Sequence, residues 1–223
     1  MIYTTEHGMR IGQDENGDRF VLGRRGKHIP LMNHKRAAAD LLEVHAVLNR
    51  MSIPFFLIQG TALGAYRDNG FCLTERDIDL GFLAEYLLPR IDELAEELKK
   101  VGCNCQVISK PFTSKRLIKV NGPQGTHIDL ISYAEQMFRG NRLRYCQATN
   151  LDYAVVFPAY IVEEVRSIVF LNQQFWLPSD TEVYLSLEYG EWQTPRYDSV
   201  SLCRVPSFFK RQKIKPDSLE RYE

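Results

Sequence analysis

The 223-residue chain is predicted to take an α+β fold, a mixed central β-sheet flanked by helices, with a β-hairpin at its N-terminal end and a helical and hairpin extension at its C-terminal end. Three observations predict it. Apolar residues recur at helical spacing over residues 34–51, and again at Leu87, Ile91, Leu94, Leu98 and Val101. Between these helices lie short apolar runs of strand length, residues 55–58 and 78–82. Farther on, residues 116–120 and 127–133 alternate apolar with polar side chains on either side of Asn121-Gly122-Pro123-Gln124-Gly125, the pattern of antiparallel neighbours.

The elements follow in order. The polar cluster Gln13-Asp14-Glu15-Asn16-Gly17-Asp18 marks a hairpin over residues 9–22. Arg24-Arg25-Gly26-Lys27-His28 is a basic loop, solvated or facing phosphate. Asn33 caps the first helix, whose buried stripe should be Ala38, Leu41, Leu42, His45, Leu48 and Met51, with His45 a core histidine. The strand at 55–58 ends at Gly60, and residues 61–66 begin a short helix. Gly102 stops the helix that starts near Leu87, and Val107-Ile108 opens another strand. Residues 167–171 and 175–177 form a hairpin around Asn172-Gln173, and Asp180 caps a helix over 181–189. The segment boundaries are 1–32 for the N-terminal hairpin extension, 33–198 for the main domain and 199–223 for a mobile or peripheral tail.

Composition narrows the function. A hydrophobic fraction of 44% and a charged fraction of 25% are ordinary for a globular domain with a sizeable core. Equal numbers of basic and acidic residues, 28 each, weigh against a dedicated nucleic-acid binder. No apolar run has the length of a membrane span, and Met1-Ile2-Tyr3-Thr4-Thr5-Glu6-His7 lacks the features of a signal peptide, so a cytoplasmic protein is expected. The five cysteines are odd in number and Cys103-x-Cys105 has no zinc-finger spacing; buried thiols are expected.

The chemistry concentrates in residues 59–79. A strand delivers the chain into Gln59-Gly60-Thr61, a short helix follows, and a second strand opens with Asp77-Ile78-Asp79. Residues two apart on a strand share a face, so Asp77 and Asp79 project together. Two such carboxylates repel unless a cation lies between them, and a hard divalent ion, Mg²⁺ or Mn²⁺, binds carboxylate together with phosphate oxygens. Glycine lets the backbone approach a phosphate, and a helix start offers N–H groups to it. In His127-Ile128-Asp129-Leu130, Asp129 sits between apolar neighbours on a predicted strand, an expensive place for a carboxylate that neither pairs nor binds metal. Beside the Asp77–Asp79 strand it would complete a metal-binding and catalytic triad, holding a second metal or serving as general base.

Gly60-Thr61, Asp77-Ile78-Asp79 and Asp129 resemble the three-part signature of the polymerase-β-like nucleotidyltransferase superfamily. More closely, Phe56-Leu57-Ile58-Gln59-Gly60-Thr61-Ala62-Leu63-Gly64-Ala65-Tyr66-Arg67-Asp68-Asn69-Gly70-Phe71 is similar to the opening motif of the LicD/fukutin family. Phe175-Trp176-Leu177-Pro178, Tyr184-Leu185, Tyr189-Gly190-Glu191-Trp192 and Pro195 resemble that family's closing pattern. The resemblance covers residues 35–195 and implies the nucleotidyltransferase fold and the transfer of a phospho-alcohol, such as phosphocholine or ribitol phosphate, from a CDP-linked donor to a hydroxyl acceptor, a glycan among them. Arg67 matches a family position and is expected to meet phosphate, as are Lys115 and Lys119; Lys119 and Arg116 face either the site or solvent. Trp192 and Tyr189 either line a substrate pocket or pack the C-terminal helix onto the core.

One departure leaves the donor open. Members carry a run of aspartates where this chain has Thr74-Glu75-Arg76-Asp77-Ile78-Asp79. Arg76 either contacts donor phosphate or pairs with Glu75 away from the site. It also makes the segment similar to that of small antibiotic nucleotidyltransferases, which admits an ordinary NTP donor and a small molecule, protein or RNA end as acceptor. A third possibility is a degenerate member that binds nucleotide or a partner without catalysis. Oligomeric state and the number of metals stay open.

Overall fold

The structure is a computed structural model that describes residues 2–6, 9–22, 28–109, 116–138, 140–147 and 154–195. The tail 199–223, Lys115 and all of the basic loop except His28 lie outside the described residues.

The N-terminal region is larger than a hairpin. Strands β1 (Ile2–Glu6), β2 (Met9–Gln13), β3 (Arg19–Leu22) and β4 (His28–Pro30) form an antiparallel sheet in chain order. The expected turn joins β2 to β3: the Asp14 carboxylate accepts the N–H groups of Asn16 and Asp18, both at 2.9 Å. The flanking strands carry no turn signal of their own and went unforeseen. Ile11, Val21 and Leu31 make a small core with Leu73 packed on it, and the Met32 N–H donates to the Glu75 carbonyl at 3.1 Å.

Helix α1 (His34–Arg50) begins at the expected cap, the Asn33 side chain accepting the Arg36 N–H at 3.2 Å. Its buried face is rotated from the expected stripe: Ala37, Asp40, Leu41, Val44, His45, Val47 and Leu48 are buried, while Ala38 and Leu42 are only half-buried. The cause is Asp40. Its carboxylate lies wholly inside and accepts the N–H groups of Gln124 (2.8 Å) and Thr126 (2.9 Å), so it joins the helix to a distant turn. His45 is a core histidine, as expected, its ring beside Phe175 at 4.4 Å and its Nε2 2.9 Å from the Gln174 carbonyl oxygen.

Strand β5 (Phe56–Leu57) leads into α2 (Gln59–Leu63), which widens into a π-helical turn over Gly64–Asp68. Gly64 is required there: a β-carbon would come 2.5 Å from the Gly70 carbonyl oxygen and 2.8 Å from the Cys72 nitrogen, backbone atoms of the returning loop. Strand β6 (Ile78–Leu83) follows, buried on both faces up to its last residue, as a central strand should be. The expected second helix is α3 (Ala84–Leu87), a 3₁₀ turn at Leu88–Arg90, and α4 (Ile91–Lys100). Leu88 and Pro89 break it, since proline supplies no N–H to continue the ladder.

Next come β7 (Asn104–Ser109), β8 (Arg116–Asn121), β9 (His127–Phe138), β10 (Asn141–Gln147) and β11 (Ala154–Pro158). With β5 and β6 they form, among the described residues, a seven-stranded mixed sheet. The first half of β9 pairs with β8 antiparallel, as expected, and with β6 in parallel; its second half pairs with β10. Arg144 on β10 is almost wholly buried, its Nη2 2.7 Å from a Glu85 oxygen and its Nε 2.7 Å from a Glu163 oxygen, which ties α3 and α5 (Ala159–Glu163) to the sheet. The chain ends, as described, with the hairpin β12 (Val165–Phe170) and β13 (Gln173–Pro178) and with helix α6 (Thr181–Tyr189), capped by Asp180 as expected. The hairpin turns on Leu171 and Asn172, at φ 52° and 59°, one residue earlier than the sequence reading placed it.

Asp40→Ala leaves two backbone donors without their acceptor in a part-buried or buried place. It is expected to lower stability by about 2 kcal/mol or more, read as a lower urea midpoint with an unchanged slope.

Candidate active site

Strand β6 carries Asp79 and strand β9 carries Asp129, and the parallel register sets these two residues directly opposite each other. The turn before α2 is bound to the same place: the Asp79 N–H donates to the Thr61 hydroxyl at 2.9 Å, and the Ile58 N–H donates to the Asp79 carbonyl at 3.3 Å. Thr61 is fully buried. Gln59 lies half-buried at φ 47°, a left-handed conformation for a residue with a β-carbon, and its N–H donates to the Tyr184 hydroxyl at 2.9 Å.

The tightest group of carboxylates is Glu75, Asp77 and Asp79, each offering an oxygen within 4.8 Å of the others. Glu75 was absent from the residues singled out as ligands, although Glu75-x-Asp77-x-Asp79 carries the same alternation of acidic positions that revealed the pair. Its side chain is not turned away toward Arg76. It lies against Gly60, where a β-carbon would overlap its carboxylate and push it aside, so glycine leaves room for it here. Arg76 points outward and is exposed.

Electrostatics follow from this crowding. Burial, and then the charge of Asp77, push the Glu75 carboxyl up to about 8. Asp77 is raised by burial and by Asp129, with His127, Arg76 and Lys119 acting against it. Asp79 is raised well above its usual range by burial and by Asp77, Glu75, Asp129 and Glu188. Asp129 adds a different sign of strain. Its Oδ1 is buried and takes part in no hydrogen bond; His127 Nε2 lies 3.0 Å from it without the alignment of one. Three carboxyls raised by crowding, with the unbonded oxygen of Asp129 on the neighbouring strand, offer an all-oxygen set that fits a hard divalent cation such as Mg²⁺ or Mn²⁺.

The expected phosphate binders divide. Lys119 is half-buried on β8, opposite Asp129 in the antiparallel register, and its charge reaches Asp77. Arg67 is engaged elsewhere: it holds Asp68 through two bonds of 2.7 Å and donates to the Trp192 carbonyl at 3.1 Å. Trp192 is buried, packs its ring at a tilt against Tyr66 with centroids 5.6 Å apart and donates its indole N–H to Ser186 at 3.1 Å, which is the packing role. Tyr189 is half-buried, and its phenol is held well above its ordinary range by burial, by Glu188 and by Glu75.

A carboxyl whose folded pKa is raised binds more protons in the folded than in the unfolded chain between the two values. Stability is therefore fully present below the unfolded pKa and is lost as pH rises through the folded one, from roughly pH 4.5 to 8 for Glu75. Without divalent metal, the thermal midpoint is expected to fall as pH rises from about 4.5 to about 8. Mg²⁺ should restore it most at the alkaline end, where it has fewest protons to displace, and Glu75→Gln should flatten the slope measured in chelator.

The family described as "LicD/FKTN/FKRP, nucleotidyltransferase domain" matches residues 52–180. Among curated proteins, the ribitol-5-phosphate transferase FKTN of Macaca fascicularis is 24% identical over 174 residues, which are 75% of this chain and 35% of that protein. The Homo sapiens FKTN is 24% identical over 168 residues, 72% and 34% of the two chains. The chain thus spans about a third of the length of these relatives. Among solved structures, ANT(2")-Ia in complex with adenylyl-2"-tobramycin shows a partial likeness, with a TM-score of 0.32 and 21% identity over 44% of this chain and 49% of that one. With the family match covering more than half of the chain, from the strand before the Gly60-Thr61 turn to the cap of α6, the protein belongs to the LicD/FKTN/FKRP nucleotidyltransferase-domain family.

Proposed function

We propose that this domain is a metal-dependent transferase that moves a phospho-alcohol group, ribitol phosphate or phosphocholine, from a CDP-linked donor to a hydroxyl of a glycan. The observation that carries the reading is the cluster of Glu75, Asp77 and Asp79 with Asp129 in register on the next strand. The names of the FKTN relatives, ribitol-5-phosphate transferases, support the class of group transferred.

Each residue has a part in an in-line displacement at phosphorus. Glu75, Asp77 and Asp79 would hold Mg²⁺ or Mn²⁺, with Asp129 beside them in register on β9. The bound ion supplies positive charge against the donor pyrophosphate. Thr61 fixes the strand that carries Asp79 through its backbone N–H. Lys119 and Arg76 lend positive charge beside Asp77, where a donor phosphate would otherwise meet only carboxylates. Asp129 would take the proton of the attacking hydroxyl as its oxygen bonds to phosphorus and the bond to CMP breaks; the buried, unbonded Oδ1 supports this reading. Positioning and charge do the work in such a transfer, and no covalent intermediate with the protein is needed.

The test is CMP release from CDP-ribitol and CDP-choline in the presence of Mg²⁺ and hydroxyl acceptors, with the four NTPs run in parallel. Asp77→Ala and Asp79→Ala are each expected to cut turnover by ~10³-fold or more while circular dichroism stays that of the parent. Full activity in both variants would sink the proposal. Pyrophosphate release from an NTP with an NMP-modified acceptor would instead make the protein a nucleotidyl transferase.

A further inference from the structure

Tyr184 lies on α6, beyond the stretch matched by the family model, and belongs to none of the groups given a role above. It is fully buried, its ring packed on Phe157 at 5.5 Å. Its hydroxyl reaches across to the opening of α2 and accepts the Gln59 N–H at 2.9 Å. No side chain from the Ile58 cap satisfies that helix start, and the first N–H groups of a helix have no partner within it. The tyrosine hydroxyl therefore serves as a cap supplied from a helix 125 positions away.

The residue it holds is the strained one. Gln59 at φ 47° sits in a region that residues with a β-carbon seldom occupy, so its backbone is strained. Immediately after it, Gly60 faces the Glu75 carboxylate and Thr61 accepts the Asp79 N–H. A swing of Gln59 toward an ordinary φ would carry both contacts with it.

We infer that Tyr184 is a positioning residue: its hydroxyl locks the left-handed Gln59 and so sets the Gly60-Thr61 turn against Glu75 and Asp79. The role rests on the transferase reading only for its effect on turnover; the positioning itself is independent of substrate.

The test compares the full chain with Tyr184→Phe, which keeps the ring and removes the acceptor. Amide hydrogen exchange at Gln59, Thr61 and Asp79 is expected to speed up by about fivefold to tenfold, well above any change at α1. Mn²⁺ affinity measured by calorimetry should weaken by about the same factor, and kcat for the donor should fall with KM little changed. Unaltered exchange at these three amides overturns the proposal whatever the activity. Faster exchange in a protein that turns over no donor upholds the positioning and counts against the transferase reading alone. Should Tyr184→Phe fail to fold, adding Gln59→Gly must restore folding, because glycine takes φ 47° without help; a double variant that also fails to fold overturns the proposal.

Discussion

The parallel pairing of β6 with β9 places Asp79 beside Asp129 in the middle of a sheet, and the rest of the structure is organised around what that pairing costs. Like charges on adjacent strands repel, burial raises the expense, and Glu75 and Asp77 add to it. A fold that holds such a cluster needs rigid support on every side. The support here is backbone hydrogen bonding: Thr61 on the Asp79 N–H, Asp40 on the turn that starts β9, and the Met32 N–H on the Glu75 carbonyl. A divalent cation would relieve the repulsion that these bonds withstand.

The parts of the chain outside the matched family segment are contributors to this support. Helix α1 supplies Asp40, and the N-terminal sheet packs its small core on Leu73, two residues before Glu75. From the other end, α6 and the turn after it grip the opening motif. Tyr66 donates to Glu182 at 2.9 Å, and Arg67 holds the Trp192 carbonyl. The opening and closing motifs, more than a hundred residues apart in the chain, are thus one packed unit. That explains why an arginine at a motif position, with charge suited to phosphate, serves as a tie in this structure.

Much of the site was legible because its signals are local. Alternation put Asp77 and Asp79 on one face; apolar neighbours made Asp129 conspicuous; Asn33 and Asp180 stood at the starts of periodic runs. Glu75 carried the same alternation, but the adjacent Arg76 offered an equally good local partner, and only the space beside Gly60 decides between them. Asp40 and Tyr184 had no local signal. An aspartate on a helix face reads as solvated, and a tyrosine among leucines reads as packing; their partners lie 84 and 125 positions away.

By itself, then, the sequence determined the α+β class, the order of helices and strands around the acidic strand, and the acidic character of the strands that carry Asp77, Asp79 and Asp129, since these follow from spacing of a few residues. Tertiary structure alone decided that β9 runs parallel to β6, that Glu75 joins the cluster, that Arg67 ties the two motifs together, and that the buried hydroxyl of Tyr184 holds Gln59 in its strained conformation. Those outcomes depend on which strands and helices meet across the core, and the free energy of such meetings comes from burial and close packing summed over distant segments, which no short window of sequence contains.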